Sequence, residues 1–95
     1  MAEKMILQLP IQPDKRAGFV AMMNQSLAQT RAYDGCISAV VWVPENSDSL
    51  VWVYEEWESR QHQRAYFKWR AETGMMEKLG PLMAGKPEII WLQEP

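Results

Sequence analysis

The sequence predicts an α+β fold of order β-α-β-β-α-β, with two helices on one face of a four-stranded antiparallel sheet. Three observations predict it. Short apolar runs with strand character stand near both ends of the chain and as a close pair in its middle. Two longer stretches between them space their apolar residues at helical intervals. Turn-forming residues punctuate every boundary.

Residues 4–10 form the first strand, closed by Pro10 and Pro13. Pro13 suits a first helical turn, where a missing N–H loses no partner. From residue 14 to about 32, Phe19, Val20, Met22, Met23 and Leu27 share one arc, and Ala21, Asn24, Gln25 and Ala28 lie opposite. Asp14 lies near the positive end of that helix dipole. Tyr33-Asp34-Gly35 marks a turn. Residues 36–43, rich in β-branched side chains, run to Pro44. Residues 50–57 answer them across the polar loop 45–49, which reads as an antiparallel hairpin. Ser59 is the expected N-cap of a second helix running to about Thr73, with Gly74 past its end. A short helical turn over 75–84 is interrupted at Gly80-Pro81, Gly85-Lys86-Pro87 breaks the chain again, and residues 88–93 form the last strand. This is the ferredoxin-like split βαβ arrangement, whose right-handed crossovers put both helices on one face.

Ninety-five residues are expected to make a single domain spanning 1–95. A chain this short buries only about 60–65% of its unfolded surface. Yet 47% of its residues are apolar and five are Trp, more apolar surface than one small core hides. The pattern of the middle strands locates the excess. Strict alternation puts Cys36, Ser38, Val40 and Trp42 on one side, with Ile37, Ala39, Val41 and Val43 on the other. It sets Leu50, Trp52 and Tyr54 against Val51, Val53 and Trp57. Both faces are apolar and one helical layer covers one face, so the other is expected to meet a second copy in a homodimer.

A net charge of −2 and a pI near 5.3, without a basic run, argue against nucleic acid. No apolar run approaches the roughly 20 residues of a membrane span, and no apolar h-region follows the N-terminus. With Cys36 as the single cysteine, the chain is expected to be cytoplasmic and free of disulfides. There is no Gly-rich phosphate loop, no GxSxG and no nucleotide fingerprint. One His and one Cys are too few for the usual zinc sites, so no metal is expected. Cys36 reads as a small buried hydrophobe. The second helix is more informative. Projected at helical spacing, His62, Ala65, Tyr66, Trp69 and Thr73 share an arc with Arg70 at its edge, while Arg60, Arg64 and Lys68 point away. Aromatic residues with a few converging polar groups suit a small-molecule pocket, because an ordinary core stripe avoids unpaired polar groups.

The Asp34-Gly35-Cys36 turn resembles the Pro-Gly-Cys-like turn of the antibiotic biosynthesis monooxygenase family, with Asp34 in place of the Pro. Val53-Tyr54-Glu55-Glu56-Trp57-Glu58-Ser59 resembles that family's Glu-x-Trp strand end running into the second helix. The resemblance extends from Met5 to Leu92 and implies a dimeric α+β barrel with a pocket between sheet and helices. It implies a cofactor-independent monooxygenase acting on a small aromatic molecule, a quinol or a phenol. In that chemistry a deprotonated substrate reduces O₂ directly. His62 or Glu55 would be the base, Tyr66 and Arg70 would steady the anion, Trp57 and Trp69 would form walls, and Thr73 would complete the substrate contacts. The family often carries His nine or ten residues after the motif Trp; Tyr66 and Phe67 stand there instead, and His62 comes earlier. The alternative is a dimer that holds a small ligand or haem without turning it over.

Overall fold

The computed structural model describes residues 2–95. Its strands are β1 (Glu3–Pro10), β2 (Cys36–Trp42), β3 (Leu50–Trp57) and β4 (Glu88–Leu92); its helices are α1 (Arg16–Ala32), α2 (Arg60–Glu72) and the short α3 (Met75–Leu79). Single 3₁₀ turns at Pro13–Lys15 and Gly80–Leu82 precede α1 and follow α3. The sheet order is β2-β3-β1-β4 with every pair antiparallel, the ferredoxin-like α+β arrangement expected from the sequence. Among the described residues no helix is long and apolar enough to cross a membrane.

Helix α1 buries Phe19, Met23, Leu27 and Thr30, spaced by three or four residues, so one stripe faces the sheet. It packs on Leu9, Ile11, Ala39, Val51 and Val53, and Leu79 of α3 joins them. A second cluster of Met5, Trp57 and Tyr66 lies beneath α2, flanked by half-buried Tyr33, Phe67, Trp69 and Trp91. Burying each large apolar side chain contributes roughly 1.5–3 kcal/mol, so these two clusters hold the helices on the sheet.

Strict alternation fails at one place. A β-bulge between Cys36 and Ser38 leaves Cys36 opposite Trp57 and Ser38 opposite Glu56. The extra residue, Ile37, is 52% exposed, and Cys36 turns inward against both apolar clusters. Cys36 therefore does not share a side with Ser38, Val40 and Trp42 as alternation predicts, because one inserted residue reverses the facing of everything before it. Beyond the bulge the alternation holds. Ile6, Val40, Trp42, Trp52, Tyr54, Ile90 and Leu92 lie on the face away from the helices, and Trp42 is 60% exposed. Two polar contacts cross this face: Trp52 Nε1 donates to Gln8 Oε1 at 2.9 Å, and Tyr54 OH donates to Glu56 Oε1 at 2.8 Å.

The turn before β2 is locked to the start of α2. Gly35 has φ +86°, and its carbonyl accepts from Glu58 N–H at 2.8 Å. A Cβ here would lie 2.3 Å from the His62 ring. Gly35→Ala therefore combines left-handed strain with a clash, and is expected to lower stability by about 1–3 kcal/mol in urea unfolding. Adding His62→Ala should restore part of the loss. Unchanged stability of Gly35→Ala would contradict this packing.

Candidate functional site

The site begins with the period-two rule of β3. Val51, Val53, Glu55 and Trp57 all face the helices, so a carboxylate sits in a row of apolar side chains. Glu55 is 2% exposed. Trp57 Nε1 donates to its Oε1 at 2.9 Å; the other carboxyl oxygen has no hydrogen-bond partner among the described residues. Burial raises the Glu55 pKa from 4.5 to about 7, against the Trp57 bond and the Arg70 charge, which lower it.

Above this carboxyl lies an apolar cavity of about 140 Å³. Leu7, Leu9 and Val53 of the sheet floor it, and Met23 and Leu27 of α1 wall one side. Tyr66, Phe67 and Arg70 of α2 line the other, with Met75, Met76 and Leu79 of α3 and Pro87 beyond them. Methionine supplies adaptable apolar surface, so α3 contributes shape without polar discrimination.

The other polar groups at the cavity are already engaged. Arg70 Nε donates to Tyr66 OH at 2.7 Å, and Tyr66 OH is hydrogen-bonded to Thr30 Oγ1. Arg70 also donates to Ser26 O at 2.9 Å, Gln29 Oε1 at 3.0 Å and Thr30 Oγ1 at 3.3 Å, tying α2 to α1. Its guanidinium lies 4.9 Å from the Trp69 ring centre. Burial pushes the Tyr66 phenol up, while the Thr30 and Arg70 bonds pull it down.

The structure brings Glu55, Tyr66 and Arg70 to one cavity, with Trp57 behind Glu55 as the group that orients it. His62, Trp69 and Thr73 do not line it. His62 sits on the first turn of α2, over Gly35, with Nδ1 2.7 Å from Ser59 Oγ and Nε2 3.8 Å from Asp34. Ser59 also accepts from His62 N–H, so it is the N-cap the sequence predicts. Trp69 packs on Tyr33 at 5.3 Å. Thr73 is exposed, and its hydroxyl donates to the carbonyls of Trp69 and Arg70. The inward arc of α2 is centred on Gln63, Tyr66, Phe67 and Arg70, and Ala65 is exposed, so the helix is rotated from the projected arc. Phe67, Met75, Met76 and Pro87 were not among the expected pocket residues; the i, i+4 pair Gln63–Phe67 was the available signal for the first of these.

Glu55 is thus a buried carboxyl lining an apolar cavity beneath the helices of an α+β fold. Residues 4–74 match the antibiotic biosynthesis monooxygenase family, and the chain belongs to it. A curated relative, Uncharacterized protein sll1783 of Synechocystis, is 27% identical over 81 residues; the match covers 85% of this chain and 55% of that protein, so this chain spans about half its relative's length. A conserved protein of Methanosarcina mazei superposes with a TM-score of 0.85 at 16% identity, covering 100% of this chain and 94% of the other. A solved antibiotic biosynthesis monooxygenase superposes with a TM-score of 0.83 at 16% identity, covering 100% and 99%. At these identities the likeness to solved structures is one of fold.

The raised pKa of Glu55 carries a stability signature. Between pH 4.5 and about 7 the folded state holds a proton that the unfolded state releases, so stability falls as pH rises through that window and levels off above it. The contribution is about 3 kcal/mol. Urea unfolding of the wild type minus that of Glu55→Gln should isolate this slope. A difference that is flat from pH 4.5 to 8 would contradict the assignment.

Proposed function

We propose that this chain is a cofactor-independent monooxygenase acting on a one-ring phenol or quinol, with Glu55 as the base. The observation that carries the reading is that buried Glu55 lines the apolar cavity with one carboxyl oxygen unbonded among the described residues. Family membership supports a monooxygenase-like role. The cavity supports the substrate size, because a dry space of roughly 150 Å³ accommodates a benzene ring.

In this reading the substrate enters between α2 and α3 with its hydroxyl toward Glu55. The carboxylate takes the phenolic proton, and the Arg70 field stabilises the phenolate. The electron-rich ring reduces O₂, and one oxygen atom joins the ring while the other leaves as water. Phenol and O₂ then give para-quinone and water, with every electron drawn from the substrate. A base with a pKa near 7 is matched to this proton transfer at neutral pH. Its dry surroundings strengthen the interaction with the developing anion. Glu55 takes the role that the sequence shared between it and His62, since His62 lies outside the cavity. Trp57 fixes its direction, and Tyr66 and Arg70 form the polar wall.

We also propose a second copy of the chain as the cover of the outer sheet face. Trp42, Val40, Ile90 and Leu92 leave an apolar surface of a kind that monomers rarely expose. A two-fold pairing would bury Trp42 and Trp52. Analytical ultracentrifugation is expected to show a dimer that Trp42→Glu shifts to monomer with little loss of secondary structure. A wild type that sediments at 11.0 kDa at high concentration would rule the pairing out.

Oxygen consumption with a panel of one-ring phenols and hydroquinones tests the activity. At least one compound should give uptake above the protein-free rate, reduced about 10²-fold or more in Glu55→Gln. No uptake with any compound refutes the oxygenase. Saturable quenching of Trp fluorescence by a ligand recovered unchanged would point to the binding protein.

A further inference from the structure

We infer that Glu55 selects the head group the cavity holds: ionised, it takes a ligand hydroxyl and rejects a carbonyl; protonated, it admits the carbonyl, on the same one-ring apolar body. This rests on the cavity being a small-ligand site, and it concerns binding alone.

The inference comes from counting free polar atoms. Three polar side chains line the cavity. Arg70 donates to Tyr66, Ser26, Gln29 and Thr30, and Tyr66 OH is held between Arg70 and Thr30. Four of the five Arg70 N–H donors are taken, leaving one on Nη1, and the Tyr66 hydroxyl is shared between two polar neighbours. Glu55 has one oxygen committed to Trp57 Nε1 and one uncommitted. The remaining lining is Leu, Val, Met, Phe, Ala and Pro, which cannot tell one oxygen function from another. What can switch between accepting and donating with its own proton is the Glu55 oxygen, so discrimination of a hydroxyl from a carbonyl falls on it.

The chemistry of that atom depends on its proton. A carboxylate oxygen only accepts, whereas a carboxylic acid offers one O–H donor. Because indole N–H occupies Oε1, the acid's proton is placed on the other oxygen of this cavity-lining carboxyl. A carbonyl beside the carboxylate finds no donor, at a cost of about 1–3 kcal/mol, whereas the acid's O–H serves it; a hydroxyl pairs with either form, donating to the carboxylate or accepting from the acid. An anionic head group meets repulsion from the carboxylate, against which the Arg70 charge acts in the opposite sense.

Around Glu55 the charged and titratable groups are few. Arg70 of α2 lowers its pKa, and Cys36 of β2 and Tyr66 of α2 feel its charge. Its β1 partner, Met5, brings no charge, and α1 approaches the site with Thr30, Leu27 and Met23. Burial places the titration within the physiological range. One consequence follows for turnover. The proton that a substrate hydroxyl hands over converts Glu55 from the form that fits the hydroxyl to the form that fits the carbonyl.

Cyclohexanol and cyclohexanone test this, since they share a shape, do not ionise and do not react with O₂. Their dissociation constants are measured by calorimetry at about pH 5.5 and about pH 8.5, either side of the Glu55 pKa. The preference for the alcohol over the ketone should rise about tenfold from the lower to the higher pH. Glu55→Gln, whose amide both donates and accepts, should show no pH swing. A constant wild-type ratio overturns the inference, as does a swing that survives Glu55→Gln or a failure of both compounds to bind. The wild-type ratio decides the matter even if the variant does not fold. A constant ratio with oxygen uptake retained on phenols removes the selector alone; a swing without oxygen uptake removes the oxygenase alone.

Discussion

Burying a carboxyl on the helix-facing side of a β-sheet is the constraint around which this structure is arranged. An ionised carboxylate away from water is costly unless it is paired and hydrogen-bonded. Here the pairing is incomplete. Trp57, two residues on and facing the same way, gives one hydrogen bond and gains the acceptor that its own buried N–H needs. Arg70 contributes its field, while four of its five N–H donors are engaged by α1 and Tyr66. The residual cost appears as a pKa near 7, so the group is held close to the point where gaining or losing a proton is nearly free. A stable core position would carry Leu or Val here.

The cavity follows from how the two halves of the core meet. The cluster under α1 is aliphatic and the cluster under α2 is aromatic; Leu7 and Cys36 touch both. The Arg70 network bolts α2 to α1 near Thr30, and α3 with Pro87 lines the far end. The helices are thus held at fixed spacing by polar contacts at one end, leaving a chamber where apolar packing stops. On the other side of the sheet no such layering occurs, and the row from Val40 to Leu92 stays apolar and uncovered within one chain.

The sequence carried the fold well because its boundaries have local causes. Pro10, Pro13, Gly74 and the Ser59 cap act within a turn of where they stand, and each acts as its chemistry predicts. The bulge at Ile37 was not readable, since nothing in Cys-Ile-Ser distinguishes one extra residue from regular alternation. The site was legible in part. Glu55 is inward by simple counting from Val51, and Tyr66 and Arg70 stand one turn apart on α2. His62, Trp69 and Thr73 were expected beside them because an ideal projection leaves the helix free to rotate about its axis. The rotation is set by contacts that are distant in sequence, Arg70 with Ser26 and the His62 ring with Gly35. The methionines of α3 belong to a segment whose path past two glycines no periodicity could trace.

Infrared difference spectroscopy of the wild type against Glu55→Gln, stepped from about pH 5 to about pH 9, reads this carboxyl directly. A protonated-carboxyl C=O band assigned to Glu55 should persist at the acid end and titrate away near pH 7. A carboxylate signal already complete at pH 5 would show an ordinary solvated glutamate, and the chamber would lose the group on which its chemistry rests.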